Sequence, residues 1–349
     1  MYKLISIFIF CFFATQAFAQ EISTEEIMFG NEIRISGTLS LPRGEGPHPA
    51  LILIHGSGSH TRNEDVIGFP IFQVLSDCLT EKGFAVFRYD KRGCGDTEGN
   101  YFEAGLADFA DDAESALQYL ASRTDIDPKR TGVLGHSEGA AIAGKLAHAS
   151  PIVKFAVSMG GTSVPGSQIV LKQQEITARS MGVSESDIKE SLEWHERQMD
   201  ALISGNDKLL RESFWALVDV QKRMISEEES AQVDELLKEN AETIIESLKS
   251  KSRIDFIRLN PSDDWSQAKV PVLALFGTLD TQVDRDQNIP PFKKALKDNL
   301  NFTLVELPNA NHLFQKAETG NVMEYSFLPK EFDEGFLEAL IDWLSQNIK

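Results

Sequence analysis

The chain alternates short apolar runs with segments of helical periodicity over most of its length. Short strand-like runs occur at 50–54, 84–89, 131–134, 154–159, 272–276 and 302–307, and those at 50–54 and 84–89 are typical of buried strands. Apolar residues three or four positions apart, the pattern of amphipathic helices, occur at 69–82, 106–122, 137–148, 291–298 and 331–346. Because these strands and helices alternate, the sequence predicts an α/β fold: a mostly parallel central sheet with helices on both faces.

Two regions depart from this alternation. Residues 23–29 and 32–41 alternate apolar and polar positions around Gly30-Asn31, which predicts an antiparallel hairpin. Residues 163–265 contain almost no strand-like run, and their helical patterns lie near 167–180, 185–203, 206–224 and 227–250. We interpret this second region as a helical insertion on the sheet.

The first nineteen residues have the pattern of a secretory signal peptide. A basic residue, Lys3, precedes an apolar run over 4–14, and Ala17-Phe18-Ala19 provides small residues for cleavage near Ala19. The apolar run is too short for a membrane span. The sequence therefore predicts a secreted or periplasmic protein without a stable membrane anchor.

These boundaries predict three parts of the chain: a signal peptide at 1–19, a catalytic domain at 20–162 and 266–349, and a helical cap at 163–265. The two cysteines outside the predicted signal, Cys78 and Cys94, leave two possibilities open, a disulfide or two free thiols. Their spacing matches no zinc pattern, and no residue pattern predicts a metal or a cofactor.

Composition narrows the range of partners. With 349 residues, 42% of them hydrophobic, the chain is long enough for a substantial core, and its formal charge of −19 disfavours nucleic acid as a partner. Residues 163–265 hold 21 Asp and Glu against 13 Lys and Arg. We expect most of these charges on outer helix faces, with some at the cavity entrance disfavouring anionic substrates.

The strongest chemical signal is Gly135-His136-Ser137-Glu138-Gly139, which lies between a predicted strand and a predicted helix. A serine at a sharp turn of this kind is exposed at the edge of the sheet, and the helix N-terminus favours negative charge formed beside it. The position between strand and helix predicts that Ser137 is a nucleophile.

A serine nucleophile requires a base that is oriented by an acid, and both are expected downstream of Ser137. Of the three downstream histidines, His148 lies three turns along the helix that leaves the serine, and His195 lies in the insertion. His312 follows strand 302–307 directly before the last helix and is therefore the predicted base. Asp280 follows strand 272–276 and is the predicted acid.

Acyl transfer also requires two N–H donors for the oxyanion. One is expected from the backbone amide of Glu138, directly after the nucleophile. The other is expected from the glycine-rich loop after strand 50–54, where the Ser57 amide is favoured and the Gly58 amide remains an alternative. His55 and His60 in this loop are interpreted as supports.

A second glycine-rich loop, residues 88–96, follows strand 84–89 and reads Arg-Tyr-Asp-Lys-Arg-Gly-Cys-Gly-Asp. Its cations permit a phosphate-binding interpretation. A structural loop that shapes the floor of a pocket is the favoured interpretation.

Together these motifs resemble the α/β-hydrolase superfamily, and within it the secreted bacterial serine esterases and related serine aminopeptidases. The resemblance covers about residues 25–162 and 266–349. It rests on His55-Gly56-Ser57-Gly58, Arg92-Gly93-x-Gly95, Gly135–Gly139, Gly277-x-x-Asp280 and Asn311-His312. It implies Ser137 as nucleophile, His312 as general base, Asp280 as orienting acid, and a helical cap or lid at the insertion.

The sequence thus predicts a serine hydrolase that cleaves small or medium carboxylic esters through an acyl-enzyme, with activity that falls as pH drops through the imidazole range. A serine aminopeptidase, an acyl-peptide hydrolase or a thioesterase is the alternative within enzymes, and the acidic insertion is a source of carboxylates for gripping a substrate amine. A non-catalytic binding protein on the same scaffold is the alternative of another class. The expected partner is a small ester or peptide-like molecule.

Overall fold

A computed structural model describes residues 22–30 and 32–348 of the protein. The signal peptide predicted at 1–19 lies outside the described residues. Within the described ranges the strands are β1 Ser23–Phe29, β2 Ile35–Leu41, β3 His48–Ile54, β4 Asp65–Val66, β5 Phe69–Pro70, β6 Ala85–Tyr89, β7 Ile126–His136, β8 Ala156–Met159, β9 Val272–Gly277 and β10 Phe302–Leu307. The α-helices are α1 Ile71–Glu81, α2 Leu106–Ala121, α3 Glu138–Ala149, α4 Gly166–Ser180, α5 Glu185–Ser204, α6 Asp207–Lys222, α7 Glu227–Ser247, α8 Lys251–Arg258, α9 Pro261–Trp265, α10 Arg285–Ala295 and α11 Glu334–Asn347.

Eight of these strands form one sheet in the order β1-β2-β6-β3-β7-β8-β9-β10. Strands β1 and β2 pair antiparallel, as do β2 and β6, and every further pair in the sheet is parallel. The predicted mostly parallel sheet is therefore confirmed. The N-terminal hairpin is present as well, although its second strand begins at Ile35.

Both faces of the sheet are buried, which explains the apolar runs in the sequence. In β3, Ile52 and Ile54 pack into the hydrophobic core formed with α2, α3 and α10, while Leu51 and Leu53 pack into the core formed with α1 and α11. All four side chains are at most 1% exposed. Since period-2 alternation places neighbours on opposite faces, a strand covered on both sides needs apolar residues at every position.

The helix predicted at 291–298 is wrong at its start, because α10 begins at Arg285. The side chain of Asp284 caps the helix by accepting a hydrogen bond from the Gln287 amide at 2.7 Å. Pro290 and Pro291 therefore lie inside α10 instead of opening it. Proline in a helix costs a backbone hydrogen bond, so the sequence favoured a start at the prolines, and the cap at Asp284 overrides this preference.

Helices α4 to α9 lie between β8 and β9, in the region interpreted as a cap. Ten buried apolar residues of this region form a hydrophobic core of their own, which includes Leu202, Phe214 and Ile245. The short helices α8 and α9 were not predicted. The division of the chain into a catalytic domain and a cap stays a prediction.

Two further observations concern the chain outside the sheet. Cys78 and Cys94 are free thiols, so of the two possibilities left open the structure contains no disulfide between them. Across residues 22–30 and 32–348, no helix combines the length and the apolar composition that crossing a membrane requires.

Candidate active site

Ser137 occupies the sharp turn between β7 and α3, as the motif predicts. Its backbone has φ 53° and ψ −117°, a left-handed conformation that is costly for a residue with a side chain. The Ser137 amide donates a hydrogen bond of 2.9 Å to the Met159 carbonyl at the end of β8, which fixes the turn to the sheet. The strained turn holds the serine at the carboxyl ends of the parallel strands.

The two glycines of the motif are required by close backbone contacts. A Cβ atom on Gly135 would lie 2.1 Å from the Gly139 carbonyl oxygen, and one on Gly139 would lie 2.1 Å from the Ile54 carbonyl oxygen. A side chain on Gly135 would push α3 away from β7, and one on Gly139 would push it away from the end of β3. The spacing of the glycines around Ser137 therefore has a steric cause at both positions.

His312 and Asp280 form a buried pair. The His312 Nδ1–H donates to Asp280 Oδ2 at 2.7 Å, and the other carboxylate oxygen accepts the amides of Gln282 and Val283 at 2.8 Å each. The Asp280 side chain has no exposed surface. A fixed carboxylate on Nδ1 keeps the proton there and leaves Nε2 of His312 as the acceptor.

Ser137 and His312 both line one cavity, which has a volume of about 260 Å³. The structure thus brings the predicted nucleophile and base to one site, with Asp280 behind the base. His148 and His195 lie elsewhere: His148 contacts Asp264 at 3.0 Å, and His195 belongs to cap helix α5.

The backbone amides of the loop after β3 differ in their partners. The Gly56 amide donates to Glu64 Oε1 at 2.8 Å, and the Gly58 amide donates to the Tyr101 hydroxyl at 3.0 Å. Within the described part of the chain, the amide of Ser57 makes no hydrogen bond, and neither does the amide of Glu138 at the first position of α3. Of the two alternatives for the second oxyanion donor, the geometry therefore favours Ser57.

A buried ion pair connects the two candidate oxyanion donors. Lys91 Nζ lies 3.2 Å from Glu138 Oε1, and the Ser57 hydroxyl donates to Glu138 Oε2 at 3.1 Å. Lys91 also donates to the carbonyl oxygens of Gly56 at 2.7 Å and Gly58 at 3.1 Å. One ammonium group therefore fixes the glycine-rich loop against the start of α3.

The other cations of loop 88–96 are held by protein groups too. Arg88 donates to side chains before and within α1, and the Arg92 Nε donates to Asp112 at 2.7 Å. This arrangement supports the structural interpretation of the loop over phosphate binding.

A second buried pair lies behind Ser137. The His136 Nδ1–H donates to Glu64 Oε1 at 2.9 Å, and the His136 Nε2–H donates to the His312 carbonyl at 3.3 Å. Burial is the largest single influence and opposes the charge of both groups, but their mutual attraction and hydrogen bond, together with smaller contributions from neighbouring groups, outweigh it: the pKa of Glu64 falls to about 2, and that of His136 rises above its ordinary value. The Glu64–His136 pair thus links the loop that carries His312 to the glycine-rich loop after β3.

His55 and His60 have the positions expected of supports. His60 Nε2 contacts the Ser57 carbonyl at 2.8 Å. His55 is buried against Phe72 and Tyr89. Burial lowers its pKa to about 3, so the imidazole is neutral.

Sequence reasoning missed Glu64, His136, Tyr101 and Lys91 as parts of the site. Glu64 lies in a loop without a recognisable motif, and its partner His136 is 72 positions away. Lys91 lies in loop 88–96, for which the sequence analysis predicts a role of the whole loop but none of this residue. Spacing in the sequence carries no signal for pairs that only the folded sheet brings together.

The walls of the site do not contain the cap carboxylates that were expected at its entrance. Among the described residues that line the active-site cavity and the cavity beside it, the acidic ones are Glu64 and Glu138, both from the catalytic part. None of the described acidic residues of the cap lines either cavity. Across the described residues, no cluster of three or more His, Cys, Asp or Glu could hold a metal ion.

Comparison with known proteins places this geometry in context. The profile of the alpha/beta hydrolase family matches residues 51–320. Esterase EstD of Thermotoga maritima is 24% identical over 312 residues, which cover 89% of this chain but only 65% of that protein's length.

Solved structures agree in fold at low identity. The Pyrococcus furiosus esterase Pf2001 superposes with a TM-score of 0.57 at 15% identity, covering 94% of this chain and 92% of that one. The proline iminopeptidase of Mycobacterium smegmatis superposes with a TM-score of 0.54 at 14% identity, covering 93% and 98% of the two chains. At such identities the likeness shows the fold alone.

Proposed function

Because the chain belongs to the alpha/beta hydrolase family, we propose that it is a serine hydrolase that cleaves carboxylic esters of small or medium acyl groups through an acyl-enzyme. One observation carries the proposal. Ser137 stands in a strained turn, in one cavity with the Asp280-oriented base His312, and beside two backbone amides that have no acceptor among the described residues.

The proposed mechanism follows from this geometry. The Ser137 hydroxyl attacks the ester carbonyl carbon while Nε2 of His312 accepts its proton. The amides of Ser57 and Glu138 hold the negative charge on the carbonyl oxygen. His312 then donates its proton to the leaving alcohol, and water, activated by the same base, releases the acid.

The charge of the site favours an ester over a substrate with a free amine. An aminopeptidase usually grips the substrate's amine with a carboxylate, and the two acidic residues in the walls are already engaged: Glu64 with His136, and Glu138 with Lys91. Among the described lining residues no other carboxylate is present. The sequence relative EstD, which is named an esterase, supports the same choice.

A substrate panel tests the proposal. We expect hydrolysis of 4-nitrophenyl butyrate to exceed that of aminoacyl-4-nitroanilides and of acyl thioesters. Ser137→Ala should lower kcat by about 10⁵ to 10⁶, since it removes the nucleophile. Ser122→Ala, at an exposed serine after α2, is the matched control and should keep full activity. An enzyme that prefers the anilides would contradict the ester assignment, and an active Ser137→Ala protein would contradict the mechanism.

A further inference from the structure

A larger cavity adjoins the active-site cavity, between the sheet and the cap. Its volume is about 510 Å³. Ser57, Gln173 and Phe256 line both cavities, so the two spaces lie side by side. A substrate bound at Ser137 therefore has room to extend under the cap.

Five of the twelve residues that the cap contributes to the wall of this cavity have apolar side chains. The apolar side chains from the cap are Val170, Met199, Leu202, Phe256 and Ile257. Walls of this kind suit a hydrocarbon chain or ring, since binding removes apolar surface from water.

One cation without an ion-pair partner among the described residues lines the same cavity. Arg253, in the first turn of α8, lines the cavity, and within the described residues no carboxylate lies within salt-bridge distance of its guanidinium. The residue as a whole is exposed, yet partial withdrawal from water lowers the pKa of its guanidinium.

The surroundings of Arg253 also favour a negative group. No acidic residue occupies the first turn of α8, where the helix dipole stabilises negative charge, and the cavity-lining residues Ser250 and Ser252 lie in the same turn. His195 lines the same cavity; burial lowers its pKa to about 4, so this imidazole is neutral, and its buried Nδ1 has no partner among the described residues. The polar groups at this end of the cavity can therefore bind an anion without meeting a competing carboxylate.

We propose that the cavity under the cap selects esters that carry a carboxylate at the far end of an apolar chain or ring, and that Arg253 binds this carboxylate. The planar guanidinium matches a carboxylate with two parallel hydrogen bonds. The inference rests on the proposed esterase function and names its substrate class. It reverses the expectation from the acidic composition, because the cap presents a cation to the substrate.

Matched ester pairs test this selectivity. The first pair is mono-4-nitrophenyl glutarate and 4-nitrophenyl valerate, which places the carboxylate on the acyl side. The second is 4-acetoxybenzoate and 4-methylphenyl acetate, which places it on the alcohol side. In at least one pair, Arg253→Gln should lower the ratio of kcat/KM for the charged to the neutral ester by about tenfold or more, the value of a charge-assisted hydrogen bond. The change should come from a higher KM for the charged ester, and Arg253→Lys should retain part of the ratio.

The matched control is Arg258→Gln, which removes the same charge from the last turn of the same helix. Arg258 Nη2 donates to the Ile203 carbonyl at 2.8 Å and does not line the cavity. This variant should keep the ratio of the wild type.

Two failures are distinguishable. If the wild type hydrolyses the neutral esters but Arg253→Gln leaves both ratios unchanged, or if Arg258→Gln changes them equally, the inference about Arg253 is wrong while the esterase function stands. If the folded wild type hydrolyses neither member of either pair, the proposed function is wrong.

Discussion

Lys91 fixes the backbone on which the proposed oxyanion site depends. Its ammonium group donates to two carbonyls of the glycine-rich loop and pairs with Glu138, and its side chain is 4% exposed. It also lies 4.5 Å from the centre of the Phe109 ring. The loop amide of Ser57 is therefore held in place by a residue that touches no substrate, which makes Lys91 a positioning residue.

We expect Lys91→Met to lower the free energy of unfolding by about 3–5 kcal/mol, because it leaves the Glu138 carboxylate buried without its partner. The double variant Lys91→Met/Glu138→Gln should recover most of this stability. Its kcat for 4-nitrophenyl butyrate should nevertheless stay about 10- to 100-fold below that of the wild type, since the loop has lost its anchor. Urea unfolding and steady-state kinetics measure the two effects separately.

The matched control for this pair is Lys82→Met, at an exposed lysine after α1, which should change neither stability nor kcat. A double variant with the kcat of the wild type would show that Lys91 stabilises the fold without positioning the loop.

Glu64 and His136 make stability depend on pH in a defined window. The pKa of Glu64 is lowered from 4.5 to about 2, so its stabilising contribution is present above pH 4.5 and is lost as pH falls towards 2. The pKa of His136 is raised above 6.5, so its contribution is present below pH 6.5 and is lost as pH rises through the raised value. The pair therefore stabilises the fold most between pH 4.5 and 6.5.

Glu64→Gln tests this window, because a glutamine keeps an acceptor for the Gly56 amide while it removes the charge. In that pH range the variant should unfold with a free energy lower by about 1.5 kcal/mol or more, and the difference from the wild type should shrink on either side. Glu81→Gln, at an exposed residue that ends α1, is the control, and its free energy of unfolding should show no such pH-dependent difference from the wild type. A difference that stays constant from pH 3 to 9 would contradict the ion pair.

At the scale of elements, periodicity and turn residues predicted most of the sheet. Strand β10 agrees with its prediction at both ends, and β3 differs only at its start. The apolar run of β3 is uninterrupted because the strand is buried on both faces, whereas β10 is a half-buried edge strand that keeps an apolar residue at most positions. Helix α10 was misplaced because a local side-chain cap at Asp284 outweighs two prolines.

The short helices of the cap show where sequence patterns lose their power. Helix α9 has five residues, fewer than two turns, so no apolar period can be counted. Its place is fixed by packing: Trp265 is fully buried, and its ring centre lies 5.1 Å from that of Phe292 in α10. Contacts of this kind join residues that are far apart in the chain, and no local pattern encodes them.

In the candidate site, the residues that follow strand ends were predictable from the sequence, and the residues around them were not. Ser137, Asp280 and His312 follow strand ends, and strand ends can be read from the sequence. The buried partners Glu64 and Lys91 come from loops, which carry no such pattern. Arg253 is recognisable only in the folded structure, where no described carboxylate lies within salt-bridge distance of it. The sequence therefore predicted the positions of the candidate catalytic residues but not the buried charges around them.

For the whole molecule, the distribution of charge matters more than its sum. The formal charge is −19, and residues 163–265 hold 21 acidic residues. Even so, the cap contributes His195 and Arg253, and no described carboxylate, to the wall beside the active site. An acidic surface and a cationic binding end can coexist because charges on outer helix faces are screened by solvent.

The central claim is that Ser137 is the nucleophile, and covalent labelling tests it most directly. The wild type is incubated with a fluorophosphonate, and the adduct is located by peptide mass spectrometry while hydrolysis of 4-nitrophenyl butyrate is followed. We predict one adduct, on Ser137, that forms in step with the loss of activity, and no adduct in Ser137→Ala. An active enzyme that is inactivated with the adduct on another residue, or that stays unlabelled at Ser137, would contradict the account.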